Sequence, residues 1–164
     1  MSNITRIGNG QGFWGDSIDA PINLIKNGNL DYLTLDYLAE VTMSIMQRQK
    51  LKNPNTGYAR DFVELIESSI DLIKEKNVKI ISNAGGVNPK SCSNQLVQIA
   101  NKTGHKLKIG FIEGDDIFNS LNELNKNGVS FNNLETGENF NIIKDLVTSA
   151  NVYISSFPIA EALE

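Results

Sequence analysis

The stretch Val78–Pro89, VKIISNAGGVNP, decides the fold. Val78 to Ser82 is a short apolar run rich in β-branched residues, which marks a buried strand. Asn83 to Val87 supplies a glycine-rich turn, and Asn88-Pro89 reads as an N-cap followed by proline at the first helical position. Cys92, Leu96, Ile99 and Ala100 then recur at helical spacing. A strand, a turn and a helix in that order form half of a βαβ unit, and such units build parallel sheets through right-handed crossovers.

The alternation extends in both directions. Further strand candidates are Ile4 to Ile7, Tyr32 to Leu35, Leu107 to Ile112 and Val152 to Ser155. Helical stripes run through Ile18, Ile22 and Ile25, through Leu38, Val41, Ile45 and Met46, through Phe62, Ile66, Ile70 and Ile73, and through Ile117, Leu121 and Leu124. Asp16 is expected to cap the first helix, with Asp19 beside its positive end. Gly28, Gly104 and Gly128 stand where a left-handed residue ends a helix.

The expected fold is α/β: a doubly wound, mainly parallel five-stranded sheet with helices on both faces. Two helices joined by Leu51–Tyr58 separate the second and third strands. Val129–Phe140 predicts a small hairpin insertion around Thr136-Gly137, with a helix over Ile142–Ala150. Pro158–Glu164 opens a helix too short to stand alone. Residues 1–164 are therefore expected to form a single domain and the N-terminal piece of a longer protein. Its C-terminal sheet edge is then left exposed for a protein partner or a second copy.

Composition narrows the function. A chain of 164 residues suits one core, and 15 Lys+Arg against 19 Asp+Glu, without a basic cluster, argue against nucleic acid or an anionic membrane as partner. No apolar run nears the ~18 residues of a membrane span, and no apolar leader follows Arg6, so a cytoplasmic location is expected. The single cysteine, Cys92, excludes an intrachain disulfide, and with the single histidine, His105, it cannot close a zinc site. No metal is expected, and the cofactor is left open.

In doubly wound sheets, ligands bind beyond the carboxyl ends of the strands. That edge collects Gly8–Asp16 (GNGQGFWGD), Asp36, Glu40, Asn83–Pro89, Glu113–Asp116 (EGDD) and Ser155-Ser156. Gly10 to Gly15 has the G-x-G-x-x-G spacing of dinucleotide loops, with Asp36 at the ribose offset, which raises an NAD(P)-binding oxidoreductase as one reading. Against it, Asp16 and Asp19 charge the helix end that a pyrophosphate needs, and Phe13 and Trp14 suit an apolar or planar group. The second glycine loop holds no carboxylate and precedes Lys90. Its Gly85 and Gly86 amides can hold a carboxylate, a phosphate or an oxyanion.

The candidate ligand-binding residues are therefore Gly10, Gly12, Asp36, Asn83, Gly85, Gly86 and Asn88. The candidate catalytic groups are Asp16, Glu40, Glu113 and Asp115, as general bases. Glu113, Asp115 and Asp116 could also join Asp36 around Mg²⁺, although an aspartate there more often caps the next helix. His105 follows a helix-ending glycine at the opposite edge, and Cys92 lies on an apolar stripe, so both read as structural.

These landmarks resemble the acyclic terpene utilisation (AtuA-like) family. The matching stretches are GNGQGFWGD (Gly8–Asp16), LDYLTLDYLAEVT (Leu30–Thr42), NPNTGY (Asn53–Tyr58), NAGGVNP (Asn83–Pro89), GDD (Gly114–Asp116) and VYISSFPIAEAL (Val152–Leu163). Each is weak alone, but their joint order is specific and covers nearly the whole chain. The resemblance implies a role in bacterial catabolism of acyclic terpenoids or branched acyl-CoA and organic acids, with a small acyl or carboxylate ligand. The alternative is a non-catalytic binding or assembly subunit for acyl-CoA enzymes such as biotin-dependent carboxylases, to which the absent nucleophile, the single histidine and the interrupted C-terminal helix point. Family and fold alone do not fix the chemistry.

Overall fold

A computed structural model describes residues 4–164, which fall into two compact units dividing between Phe111 and Ile112. The first unit is α/β. Its parallel strands are β1 (Ile7–Gln11), β2 (Tyr32–Leu35) and β3 (Lys79–Ser82), paired in the order β1-β2-β3. Helix α1 (Asp19–Asn27) joins β1 to β2, while α2 (Glu40–Lys52) and α3 (Arg60–Lys76) join β2 to β3. Helix α4 (Pro89–Lys102) follows β3.

Helix α3 forms where the apolar stripe is longest, burying Phe62, Leu65, Ile66, Ile70 and Ile73. It stops at Asn77, whose left-handed backbone (φ 54°) returns its N–H to the carbonyls of Ile73 and Lys74. The inward residues of β2, Leu33 and Leu35, share one core with Ile25 of α1, Met46 of α2 and Phe62, Leu65 and Ile66 of α3. Helix α4 buries Cys92, Leu96, Ile99 and Ala100 and begins with the expected proline.

Among the described residues the sheet has three strands, not five, and no reversal of strand order occurs among them. Leu107 to Phe111 keeps the alternation of a strand, with Leu107 and Ile109 half-buried against the core and Lys106 and Lys108 exposed. Side-chain alternation sets burial, but a strand also requires a hydrogen-bonded neighbour, and this segment has no ladder partner. Val152 to Ser155 likewise forms no ladder, although Val152 N–H donates to the Asp115 carbonyl (2.8 Å). Only a single antiparallel bridge, Asp116 to Asn151, lies beside it.

Other expectations shift locally. Strand β1 begins at Ile7 rather than Ile4 and takes in half of the first glycine loop. Helix α1 begins at Asp19 with no side-chain cap, so Asp16 is not its cap. Gly104 and Gly128 are left-handed as expected, but Gly28 is not (φ −82°).

In the second unit the stripe at Ile117–Leu124 becomes a 3-10 turn (Phe118–Ser120) running into α5 (Leu121–Lys126). The hairpin expected at 129–140 has no strands. Asn133 N–H closes a turn onto the Glu138 carbonyl (2.9 Å), and the rings of Phe131 and Phe140 lie 5.4 Å apart. Two 3-10 turns, Phe140–Ile142 and Lys144–Leu146, replace the helix expected to follow. The unit ends with α6 (Phe157–Leu163).

Candidate functional site

The site begins with an irregularity in β1. Gly8 pairs with Leu33 and Asn9 with Thr34, but Leu35 pairs with Gln11, so Gly10 is an extra residue. Strand side chains alternate between faces, and one inserted residue reverses the alternation. Gln11 is thereby turned from the face of Asn9 to the face of Leu33 and Leu35, where it is 1% exposed. Gly10 has no room for a side chain: a Cβ there would lie 2.9 Å from Leu35 Cδ2 and 3.1 Å from Pro21 Cα. Packing accounts for this glycine.

The carboxyl tips of the strands are tied together by hydrogen bonds. Asp36 N–H donates to the Gln11 carbonyl (3.1 Å), and Asn83 Nδ2 donates to Asp36 Oδ1 (2.7 Å). Tyr37 N–H donates in turn to Asn83 Oδ1 (2.8 Å). Beside them, Asp16 turns its carboxylate onto its own loop and accepts from Gly12 N–H (3.1 Å) and Ser17 N–H (2.7 Å). Of the expected site residues, Gly12, Asp16, Asp36 and Asn83 thus meet at one edge, and Gly12, Asp36 and Asn83 are exposed.

The second glycine loop is committed to another task. Asn88, expected to cap α4, leaves that helix uncapped by side chain and clamps the α2–α3 connection. Its Nδ2 donates to the carbonyls of Pro54 (2.7 Å) and Thr56 (2.8 Å). Val87 N–H donates to the Gly57 carbonyl (3.0 Å), and Lys50 Nζ donates to the Val87 carbonyl (2.6 Å). Gly86 is left-handed (φ 56°), and a Cβ there would overlap Met46 Sδ and lie 2.7 Å from the Gly57 carbonyl oxygen. A Cβ on Gly85 would meet Pro89 Cβ at 2.8 Å. Close packing therefore explains both glycines.

The catalytic candidates divide between the two units, Asp16 and Glu40 in the first and Glu113 and Asp115 in the second. Glu40 opens α2 and is exposed, while Thr42 makes the local cap by accepting from Ala39 N–H (2.7 Å). Glu113 and Asp115 belong to the second unit. There Asp115 Oδ2 accepts from Asn151 Nδ2 (3.0 Å), and Asp116 caps the 3-10 turn by accepting from Phe118 N–H (3.0 Å). His105 lies 2.8 Å from Asp71, away from the strand tips. Among the described residues, no three His, Cys, Asp or Glu side chains gather as a metal site needs.

Sequence reasoning missed the groups just inside this edge. Tyr37 is fully buried with its ring edge-on to Phe62 (5.9 Å between centroids). Trp14 Nε1 donates to Asp61 Oδ1 (2.9 Å), pinning the first loop to the start of α3. Burial, and then the Asp61 charge, push the Tyr37 phenol well above its usual range, while the Gln11 side chain pulls the other way. Burial alone raises the Cys92 thiol to about 12. A small cavity of about 110 Å³ lies elsewhere, between the C-terminal ends of α1 and α3, lined by Ile25, Lys26, Asn27, Asn29, Leu30 and Lys76.

Three parallel strands joined by crossover helices define an α/β protein. The model of the family described as acyclic terpene utilisation family protein AtuA matches residues 5–164, and the chain belongs to that family. Neither a curated relative nor a solved structure matches it. No helix among the described residues is long and apolar enough to cross a membrane.

Proposed function

We propose that the carboxyl edge of the sheet binds a small acyl or carboxylate-bearing molecule, and that the protein serves the breakdown of acyclic terpenoids or branched acids. The observation that carries this reading is the hydrogen-bonded series Gly12–Asp16, Gln11–Asp36 and Asp36–Asn83, which brings exposed polar groups from three strand tips to one place. Family membership supplies the substrate class. Asp16 and Asp36 make the edge acidic, so the ligand enters with its neutral acyl end and keeps any anionic group outward. The same Asp16 carboxylate occupies the loop amides that a pyrophosphate would use, so the nicotinamide reading draws no support from this loop. Replacing Asp16, Asp36 and Asn83 singly, each with Ala, and following growth of the host on an acyclic terpenoid acid tests the proposal. Loss of growth for at least two of the three is expected, with the purified variants still folded. Wild-type growth for all three would sink it.

A second reading, a non-catalytic assembly subunit for acyl-CoA enzymes, is favoured by the apolar side chains displayed towards the C-terminus. Tyr153 is fully exposed and Phe157 is 76% exposed. Co-purification with acyl-CoA carboxylase subunits, lost on changing Tyr153 and Phe157 together to Ser, is its expected result. Full growth of that double variant without any retained subunit would count against it.

A further inference from the structure

Among the described residues, two buried side-chain polar atoms have no hydrogen-bond partner: Gln11 Oε1 and the Tyr37 hydroxyl. Both residues are almost wholly enclosed, at 1% and 0% exposure. A buried polar atom left unpaired is costly, so native proteins rarely keep one without use. Here the cost is built in by the chain itself. The extra residue at Gly10 is what turns Gln11 inward; without it the amide would stand on the opposite face beside Asn9. An apolar residue at position 11 would fill that inward place beside Leu35 with no penalty.

The surroundings select what the pair can hold. Gln11 Oε1 only accepts, while its Nε2 is directed to the Asp16 carbonyl (3.4 Å). The phenol is held protonated by burial and by the Asp61 charge, and therefore offers a donor. The Gln11 side chain lies close enough to the phenol to favour its ionised form as a hydrogen-bond donor does, yet by distance and angle neither Gln11 Oε1 nor the Tyr37 hydroxyl has a partner. A guest that donates to one and accepts from the other satisfies both. An anion is disfavoured by Asp61 and by the acidic edge outside. A ketone or ester can accept from Tyr37 but has nothing to give Gln11.

We propose that Gln11 Oε1 and the Tyr37 hydroxyl form a binding site for an alcoholic hydroxyl group of a small ligand, reached beneath the Gly12–Ser17 loop. The loop is suited to moving aside. Gly12 and Gly15 have open space around them and Gly15 is left-handed (φ 100°), while the Trp14–Asp61 hydrogen bond holds the loop closed and has to break for it to move. This deepens the reading of the strand-tip edge and rests on it for location. Growth phenotypes test the edge and the titration below tests the pair, so each can fail alone.

The probes are propan-2-ol and acetone, which share a carbon skeleton and differ in the hydroxyl donor. Each is titrated into the intact chain while NMR follows the Gln11 side-chain amide and the indole N–H of Trp14, the only tryptophan. Propan-2-ol is expected to shift both signals saturably and to bind at least about fivefold more tightly than acetone, the margin one hydrogen bond provides. Gln11→Met and Tyr37→Phe should each abolish that preference. Equal titration by the two probes, no saturable shift with propan-2-ol, or an unchanged preference in both variants would overturn the proposal. So would direct observation of the Tyr37 hydroxyl bonded to Gln11 Oε1, or of a water molecule between them that the alcohol does not displace. If either variant fails to fold, the wild-type comparison of the two probes decides the matter.

Discussion

At the scale of single residues, glycine is used here in two opposite ways, and substitution separates them. Gly86 is left-handed and packed against Met46 Sδ and the Gly57 carbonyl. Alanine there incurs the left-handed backbone penalty and an overpacking penalty together, so Gly86→Ala should destabilise by about 2–4 kcal/mol in urea unfolding. Gly12 has nothing within reach of an added Cβ, and Gly12→Ala should change stability by less than about 0.5 kcal/mol. If Gly12 faces a ligand, the same substitution should still impair growth on a terpenoid acid. A large loss of stability in Gly12→Ala, or none in Gly86→Ala, contradicts this division. Cys92 offers a test by pH. Its thiol is buried and raised from 9.0 to about 12, so the unfolded chain ionises first as pH rises. Stability from this group is complete below pH 9 and is lost as pH climbs towards 12. Native Cys92 should therefore resist a thiol reagent at pH 8 while the urea-unfolded chain reacts at the rate of a free cysteine. Equal rates would refute its burial.

At the scale of elements, α2 shows how far a helical stripe can mislead. Leu38, Val41, Ile45 and Met46 look like one face, but Met46 is fully buried while Val41 and Ile45 are 70% and 40% exposed. Its inward side carries the buried Met46 and Gln47, and Met46 packs against Gly57 and Gly86, in loops distant in sequence. Met46→Ala should accordingly cost about 2–5 kcal/mol, and Val41→Ala should stay within about 0.5 kcal/mol. The elements legible in the sequence are those whose pattern is local: β2 and β3 with their apolar runs, α3 with its long stripe, and α4 with its proline start. Strand β1 was only half legible, because its bulge arises from the register with β2 and from the nearness of Pro21 and Leu35. Leu107–Phe111 alternates correctly but lacks a partner, and pairing is not encoded in alternation. The site divides in the same way. Asp36 and Asn83 stand at strand tips and could be picked out by position. Gln11 and Tyr37 look like ordinary polar residues until the bulge and the core enclose them.

At the scale of the molecule, apolar burial is distributed unequally between the two units. Residues up to Phe111 bury a continuous cluster from Ile25 through Leu33, Tyr37, Met46 and Phe62 to Leu96. Beyond it, Leu121 and Phe140 alone are buried, whereas Leu134 and Tyr153 are fully exposed and Leu146 is 77% exposed. The α-helices there have six and seven residues, below the length at which helices persist without support from packing. Local opening free energy follows buried apolar contact, so the two units should differ in amide hydrogen exchange. The amides of β2 and α3 should exchange only through global unfolding, and those of 112–164 through local opening orders of magnitude faster. A protease at low dose should likewise cut first within 112–164 and leave the three-stranded unit intact. Equal protection across both units would mean that Leu134, Leu146 and Tyr153 are covered in solution by something they do not meet here. The assembly reading would then gain support, whereas the strand-tip site is left to its own growth test.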